Sequence, residues 1–152
     1  MYVSPKADGL ESVRGSEDLT IVVQPYKAPP PELYKTGVEV LLLEYERPLP
    51  NVKSTGQYWY ARWAHQMAKE CGVSPYDIVF HDRFRNITES AKHNVFVVKH
   101  GEIITSPDTT VLCGVTRKIV LEFVHSSGLS LVQRDPSFFL FMDADEIFVN
   151  TC

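Results

Sequence analysis

Residues Asn86–Gly101 read NITESAKHNVFVVKHG, and the chain continues EIITSP. NVFVVKHGEIITSP, residues 94–107, contains two short runs rich in β-branched and aromatic residues. His100-Gly101 sits between them, and a two-residue turn of that kind predicts a hairpin. This hairpin is the seed from which a sheet can be read outward in both directions. Glu89 lies just before its first strand. It reads either as a polar turn residue or as a buried carboxylate, and a buried carboxylate at a strand entrance needs a cationic partner.

Further strands are predicted on both sides of the hairpin. LTIVVQP (19–25) is a short apolar run, VEVLLLEYERP (38–48) is a buried strand ending at Pro48, and YDIVFHD (76–82) leads into the turn DRFRN. LSLVQRD (129–135) and EIFVNTC (146–152) complete the set. Helices alternate with them. Ser54 and Gln57 form an S-x-x-Q capping box, so a helix is expected over 54–71, ended by Gly72 and Pro75. Residues 115–128 form an amphipathic helix closed by Gly128, and a further helix opens at Pro136. YKAPPPELYKTG (26–37) is a proline-rich connector with one helical turn around Glu32–Lys35, and residues 1–18 are polar and lack periodicity. The alternation fits α/β or α+β equally well from pattern alone.

The chain has 152 residues, enough for one domain with a sizeable core, and its 44% hydrophobic and 22% charged residues are ordinary for a globular protein. A net charge of −4 argues against nucleic acid or an anionic membrane as partner. No apolar run is long enough to span a bilayer, and the N-terminal stretch has no apolar h-region, so neither a membrane helix nor a signal peptide is expected. Cys71, Cys113 and Cys152 are widely spaced and odd in number, which reads as reduced thiols in the cytoplasm. His81, Asp82, His93 and His100 have no recognised ligand spacing, so no metal site is expected.

Candidate chemistry begins at Lys53. It precedes the expected helix, whose N-terminus carries partial positive charge, and a cation gains nothing there electrostatically. Lys53 is either an exposed junction lysine or an amine in a partly apolar pocket, where desolvation frees its lone pair for Schiff-base chemistry. KST at 53–55 follows PLPNV, without the glycines of a phosphate-binding P-loop, and that reading is rejected. In LCGVTR (112–117), Gly114 precedes a helix start whose free N–H groups and Thr116 hydroxyl suit a phosphate.

In this order and spacing, NVKS (51–54), HDRFRNITESAKHNVFVVKHG (81–101), LCGVTR (112–117) and VNTC (149–152) resemble the motifs of the class IV (fold-type IV) aminotransferases. That family uses pyridoxal 5′-phosphate and includes branched-chain and D-amino acid aminotransferases and aminodeoxychorismate lyases. The resemblance implies an α+β fold, the large C-terminal domain of the D-amino acid aminotransferase-like fold, with a mixed sheet or pseudo-barrel and flanking helices. Residues 1–18 are then a poorly ordered or remnant segment, 19–36 a strand and interdomain linker, and 37–152 the cofactor-binding large domain, truncated at both ends.

By the same resemblance Lys53 is the lysine that forms the Schiff base. Tyr58 is similar to the tyrosine that bonds the cofactor's phenolic oxygen, and Glu89 to the carboxylate that pairs with the pyridine nitrogen. Leu112 is similar to the residue packed on the ring, and Val115, Thr116 and Thr151 to those around the phosphate. The implied reaction moves an amino group between an amino acid or amine and a 2-oxo acid. Alternatives are an aminodeoxychorismate-type lyase or a non-catalytic fragment of the same fold. The implied partners are a small N-terminal domain and a second copy in a homodimer. The sequence departs from the family pattern at Ser90, Lys92, His93, Cys113 and Asn150.

Overall fold

The computed structural model describes residues 2–5, 17–20, 25, 28–54, 56 and 58–151. It divides into two compact units, residues 1–37 and 38–152. In the first, β1 (Tyr2–Pro5) pairs antiparallel with β2 (Glu17–Thr20), and α1 (Leu33–Thr36) forms a single turn. The apolar residues 21–24 of the predicted first strand lie outside the described residues.

The second unit is built on a seven-stranded mixed sheet. β3 (Val40–Glu44) runs parallel to β4 (Asp77–His81), joined by α2 (Tyr58–Glu70). β5 (Ile87–Ser90), β6 (His93–Lys99) and β7 (Glu102–Thr105) follow as antiparallel neighbours. α3 (Val115–Ser126) then crosses to β8 (Ser130–Gln133), which is parallel to β7. Parallel neighbours need such a crossover, and each of the two parallel pairs here has its helix. The short α4 (Phe138–Met142) leads to β9 (Glu146–Thr151), which returns antiparallel to β6 from Val98 back to His93. This is the α+β architecture with a mixed sheet and flanking helices.

β6 is the centre of the sheet. β9 takes one edge along its length, while β5 and β7 share the other. Side chains alternate between faces. Val79, Ile87, Val95 and Val97 form one buried layer with Phe141 of α4. On the opposite face, Ile78 and Phe80 pack on Ala61 and Ala64 of α2. Phe96 and Ile103 pack on Val124 of α3 on that same opposite face. Phe96 stacks parallel on its cross-strand neighbour Phe148, with ring centroids 4.8 Å apart.

The hairpin tip forms as expected, with His100 and Gly101 both at positive φ (50° and 78°), the geometry that a tight turn between twisted strands requires. Two helix starts differ from expectation. α2 begins at Tyr58, not Ser54: Ser54 is in irregular backbone and Gly56 in a tight 3₁₀ turn, consistent with glycine's weak helix propensity. The capping partner Gln57 lies outside the described residues. α4 begins after Pro136, at Phe138, because the Ser137 hydroxyl caps it by accepting from the Leu140 N–H at 3.2 Å. Among the described residues no helix is long and apolar enough to cross a membrane.

Candidate functional site

Glu89 is not a turn residue. It belongs to β5 and is 1% exposed. Its Oε1 accepts from Arg47 Nη1 at 2.6 Å and its Oε2 from the Leu112 N–H at 3.0 Å. Burial pushes its proton affinity above the usual carboxylate range; the Leu112 N–H and the Arg47 guanidinium pull the other way without cancelling it. Arg47, half-buried between β3 and α2, is the required cation, and its identity was missed in the sequence. The need was legible, since a buried carboxylate demands a partner, but nothing local says which of fifteen Lys and Arg residues supplies it.

Leu112 is held at both its polar groups. Its N–H goes to Glu89, and its carbonyl accepts from Asn94 Nδ2 at 3.0 Å. Asn94 is also the residue opposite Glu89 in the β5–β6 register. Carboxylate, loop and strand therefore form one closed circuit. A second anchor comes from α3. Arg117, 1% exposed, donates to Thr105 Oγ1 at 2.9 Å, to the Ser106 carbonyl at 2.6 Å, and to Asp108 Oδ1 through Nε at 3.2 Å and Nη2 at 3.1 Å. It fixes the start of α3 against the loop that carries Leu112.

Lys53 is exposed, in the segment between β3 and α2. Its neighbours tie that segment down. The Val52 carbonyl accepts from Arg47 Nη2 at 3.4 Å. The Asn51 amide, oriented so that its nitrogen faces acceptors, donates to the carbonyls of Asp108 at 2.7 Å and Val111 at 3.1 Å. The same guanidinium thus touches Glu89 and the segment that carries Lys53.

Tyr58 opens α2 and is half-buried. Val115 and Thr116 open α3 and are exposed, and Gly114 before them offers no side-chain cap, so the first-turn N–H groups have no capping side chain. Thr151 pairs with His93 in β9, and its side chain is outside the described residues. Its neighbour Asn150 lies opposite Asn94, and both polar atoms of its amide are buried with no partner among the described residues. Cys113 is half-buried, and burial, with the nearby Asp108 carbonyl and charge, pushes its thiol up.

A second buried carboxylate, Asp77, was not singled out in the sequence. Its Oδ1 accepts from the Ile78 N–H at 2.8 Å, and its Oδ2 accepts from the Ser90 hydroxyl and from His93 Nδ1, the latter at 2.5 Å. Burial alone would raise its proton affinity. The hydrogen bonds from His93, Ser90 and Ile78 outweigh that and hold it below the usual carboxylate range.

The segment that carries Lys53 is tied through Arg47 to Glu89 and through Asn51 to the loop that leads into the uncapped start of α3. The family model for class IV amino-transferases matches residues 1–151, and the chain belongs to that family. Branched-chain-amino-acid aminotransferase 2, chloroplastic, of Arabidopsis thaliana is 33% identical over 97% of this chain, and the match covers 41% of that protein. The Escherichia coli branched-chain amino acid aminotransferase structure is 26% identical, with a TM-score of 0.63 over 76% of this chain and 39% of its own. The branched-chain aminotransferase of Thermobaculum terrenum, solved in its PLP-form, has a TM-score of 0.65 at 21% identity, over 75% of this chain and 39% of its own, a likeness of fold. The chain spans about two-fifths of the length of these relatives.

Proposed function

We propose that this chain carries the cofactor-binding part of a pyridoxal 5′-phosphate-dependent transaminase, with residues 38–152 as the cofactor domain. The observation that carries the reading is the Glu89 circuit: a fully buried carboxylate, held from both sides, with elevated proton affinity. Its two oxygens accept one hydrogen bond each, which leaves lone-pair capacity for a ring N–H. The orphaned Asn150 amide also fits, because an isolated buried amide is costly and a phosphate oxygen beside the uncapped start of α3 would satisfy its donor.

When bound, pyridoxal phosphate supplies a carbonyl carbon for amines and a protonated ring that accepts electrons. The residues here do the rest. Glu89 holds a proton at the ring nitrogen, and Arg47 and the Leu112 N–H keep Glu89 in place. Val115 and Thr116 bind the phosphate through backbone N–H groups and a hydroxyl, with Thr151 beside them. Leu112 covers the ring, and Tyr58 bonds its phenolic oxygen. Lys53 is the covalent anchor and then the base and acid that moves the substrate Cα proton. The amino donor and 2-oxo acid acceptor are small molecules. The remainder of the pocket comes from a smaller domain and a second copy of the protein in a homodimer, in the cytoplasm.

The test is to add pyridoxal phosphate, reduce with borohydride and map the modified peptide. The expected product is a stable pyridoxyl group on Lys53, absent in a folded Lys53→Ala variant. A modification that persists at its full level in Lys53→Ala, or none at all in the folded parent, overturns the reading. Pyruvate release without any amino acceptor would indicate the lyase reaction instead.

A further inference from the structure

The turn between β5 and β6 is fixed from below by a buried charge. Asp77, 3% exposed, binds Ser90 and His93 together. Ser90 Oγ in turn accepts from the backbone N–H of Lys92 at 3.2 Å and of His93 at 2.9 Å. Tyr76 stacks against the His93 ring, 6.2 Å between centroids at 28°. The backbone at Lys92 is therefore pinned to the Ser90–Asp77 pair, although the Lys92 side chain is exposed.

This turn stands over a cavity of about 470 Å³ lined by Tyr58, Ala61, Arg62, His65, Ala91 and Lys92, with Asp77 in its wall. Arg62 and His65 project from α2, facing the turn across a floor of alanines. Among the described residues the side chains of Arg62, His65 and Lys92 take part in no hydrogen bond or ion pair. The one carboxylate in the wall, Asp77, already serves Ser90, His93 and Ile78. The cavity thus has two uncompensated cations and an imidazole around an apolar floor, with the Tyr58 phenol at its rim.

We propose that this cavity is a binding site for a short aliphatic carboxylic acid, its carboxylate held by Arg62 and Lys92 and its carbon chain lying on Ala61 and Ala91. A guanidinium presents paired donors that match a carboxylate, and a lysine on a rigid turn adds a second charge at little entropic cost. The site goes beyond the transaminase reading and stands without it. Joined to that reading, on which this last step rests, it would select substrates with an acidic side chain.

The experiment is calorimetric titration of the whole chain with glutarate, and with glutaramide as its neutral analogue. Glutarate should bind and glutaramide should not. Arg62→Gln and Lys92→Gln should each weaken glutarate binding by about tenfold, the loss of one charge-assisted contact, and Lys92→Glu should abolish it. Both side chains are exposed, and circular dichroism verifies that the variants are folded. Equal binding of glutarate and glutaramide, or glutarate binding that survives in the Arg62→Gln/Lys92→Gln double variant, overturns the proposal. Because the titration uses cofactor-free protein, it fails or succeeds separately from the pyridoxyl test on Lys53.

Discussion

Removing Arg47 would leave the Glu89 carboxylate buried with the Leu112 N–H as its remaining donor among those described above. An uncompensated buried charge is costly, so Arg47→Met should destabilise the fold by about 3 kcal/mol in urea unfolding. The Arg47→Met/Glu89→Gln double variant should recover a large part of that loss, because no lone charge remains. The two buried carboxylates should also give opposite pH signatures. Asp77 has its pKa lowered by folding, so the native state binds fewer protons than the unfolded chain between the two values. Its contribution is full above the ordinary carboxylate range and is lost as pH falls below that range through the depressed native value. Asp77→Asn should therefore lower the urea midpoint at about pH 6, and the deficit should shrink progressively as pH is taken below the ordinary carboxylate range. Glu89 is raised, so its contribution is full below the ordinary range and lost as pH climbs through the elevated value. Glu89→Gln should remove that decline, visible as a flatter stability profile on the neutral side of the carboxylate range.

At the level of elements, α2 and α3 end in the same way. Gly72 and Gly128 have φ of 78° and 69°. After α2, the Val73 N–H reaches the Ala68 carbonyl at 2.8 Å and the Gly72 N–H the Lys69 carbonyl at 3.0 Å. After α3, the Leu129 N–H reaches the Val124 carbonyl and the Gly128 N–H the His125 carbonyl, both at 3.2 Å. This is the Schellman pairing, in which a left-handed residue closes the last turn. Gly72→Ala and Gly128→Ala should each cost about 1 kcal/mol, read as a lowered melting temperature. These ends were legible because a glycine after an apolar-periodic run has a local meaning. The hairpin tip was legible for the same reason. The start of α2 was not, since Ser54 and Gln57 satisfy a pattern without fixing the backbone between them. β5 was not legible either: ITES carries too few apolar residues to read as a strand, and its burial comes from β4, β6 and the Leu112 loop, all distant in sequence. The candidate site divides along the same line. Lys53, Glu89 and the start of α3 stand in recognisable local patterns, whereas Arg47, Asp77 and Arg117 are defined by partners that only folding brings near.

For the molecule as a whole, the outer stripe of α2 leaves Trp59 67%, Trp63 43% and Met67 43% exposed, spaced along one face of the helix. Large aromatics in such a stripe favour association. Sedimentation velocity should show a concentration-dependent rise in mass, reduced in a Trp59→Ser/Trp63→Ser variant. The sheet and the lysine segment are held very differently. β6 is bordered by strands on both edges, and Val95, Phe96 and Val97 are 1%, 0% and 0% exposed. In deuterium oxide, the amides of these three residues should retain their protium longest and exchange through whole-chain opening. The stretch around Lys53 hangs from Arg47 and Asn51 and should exchange far sooner. If Lys53 carries the proposed Schiff base, its amine rides on a strap over an immobile bed, and the bed rather than the strap sets where a bound ring sits.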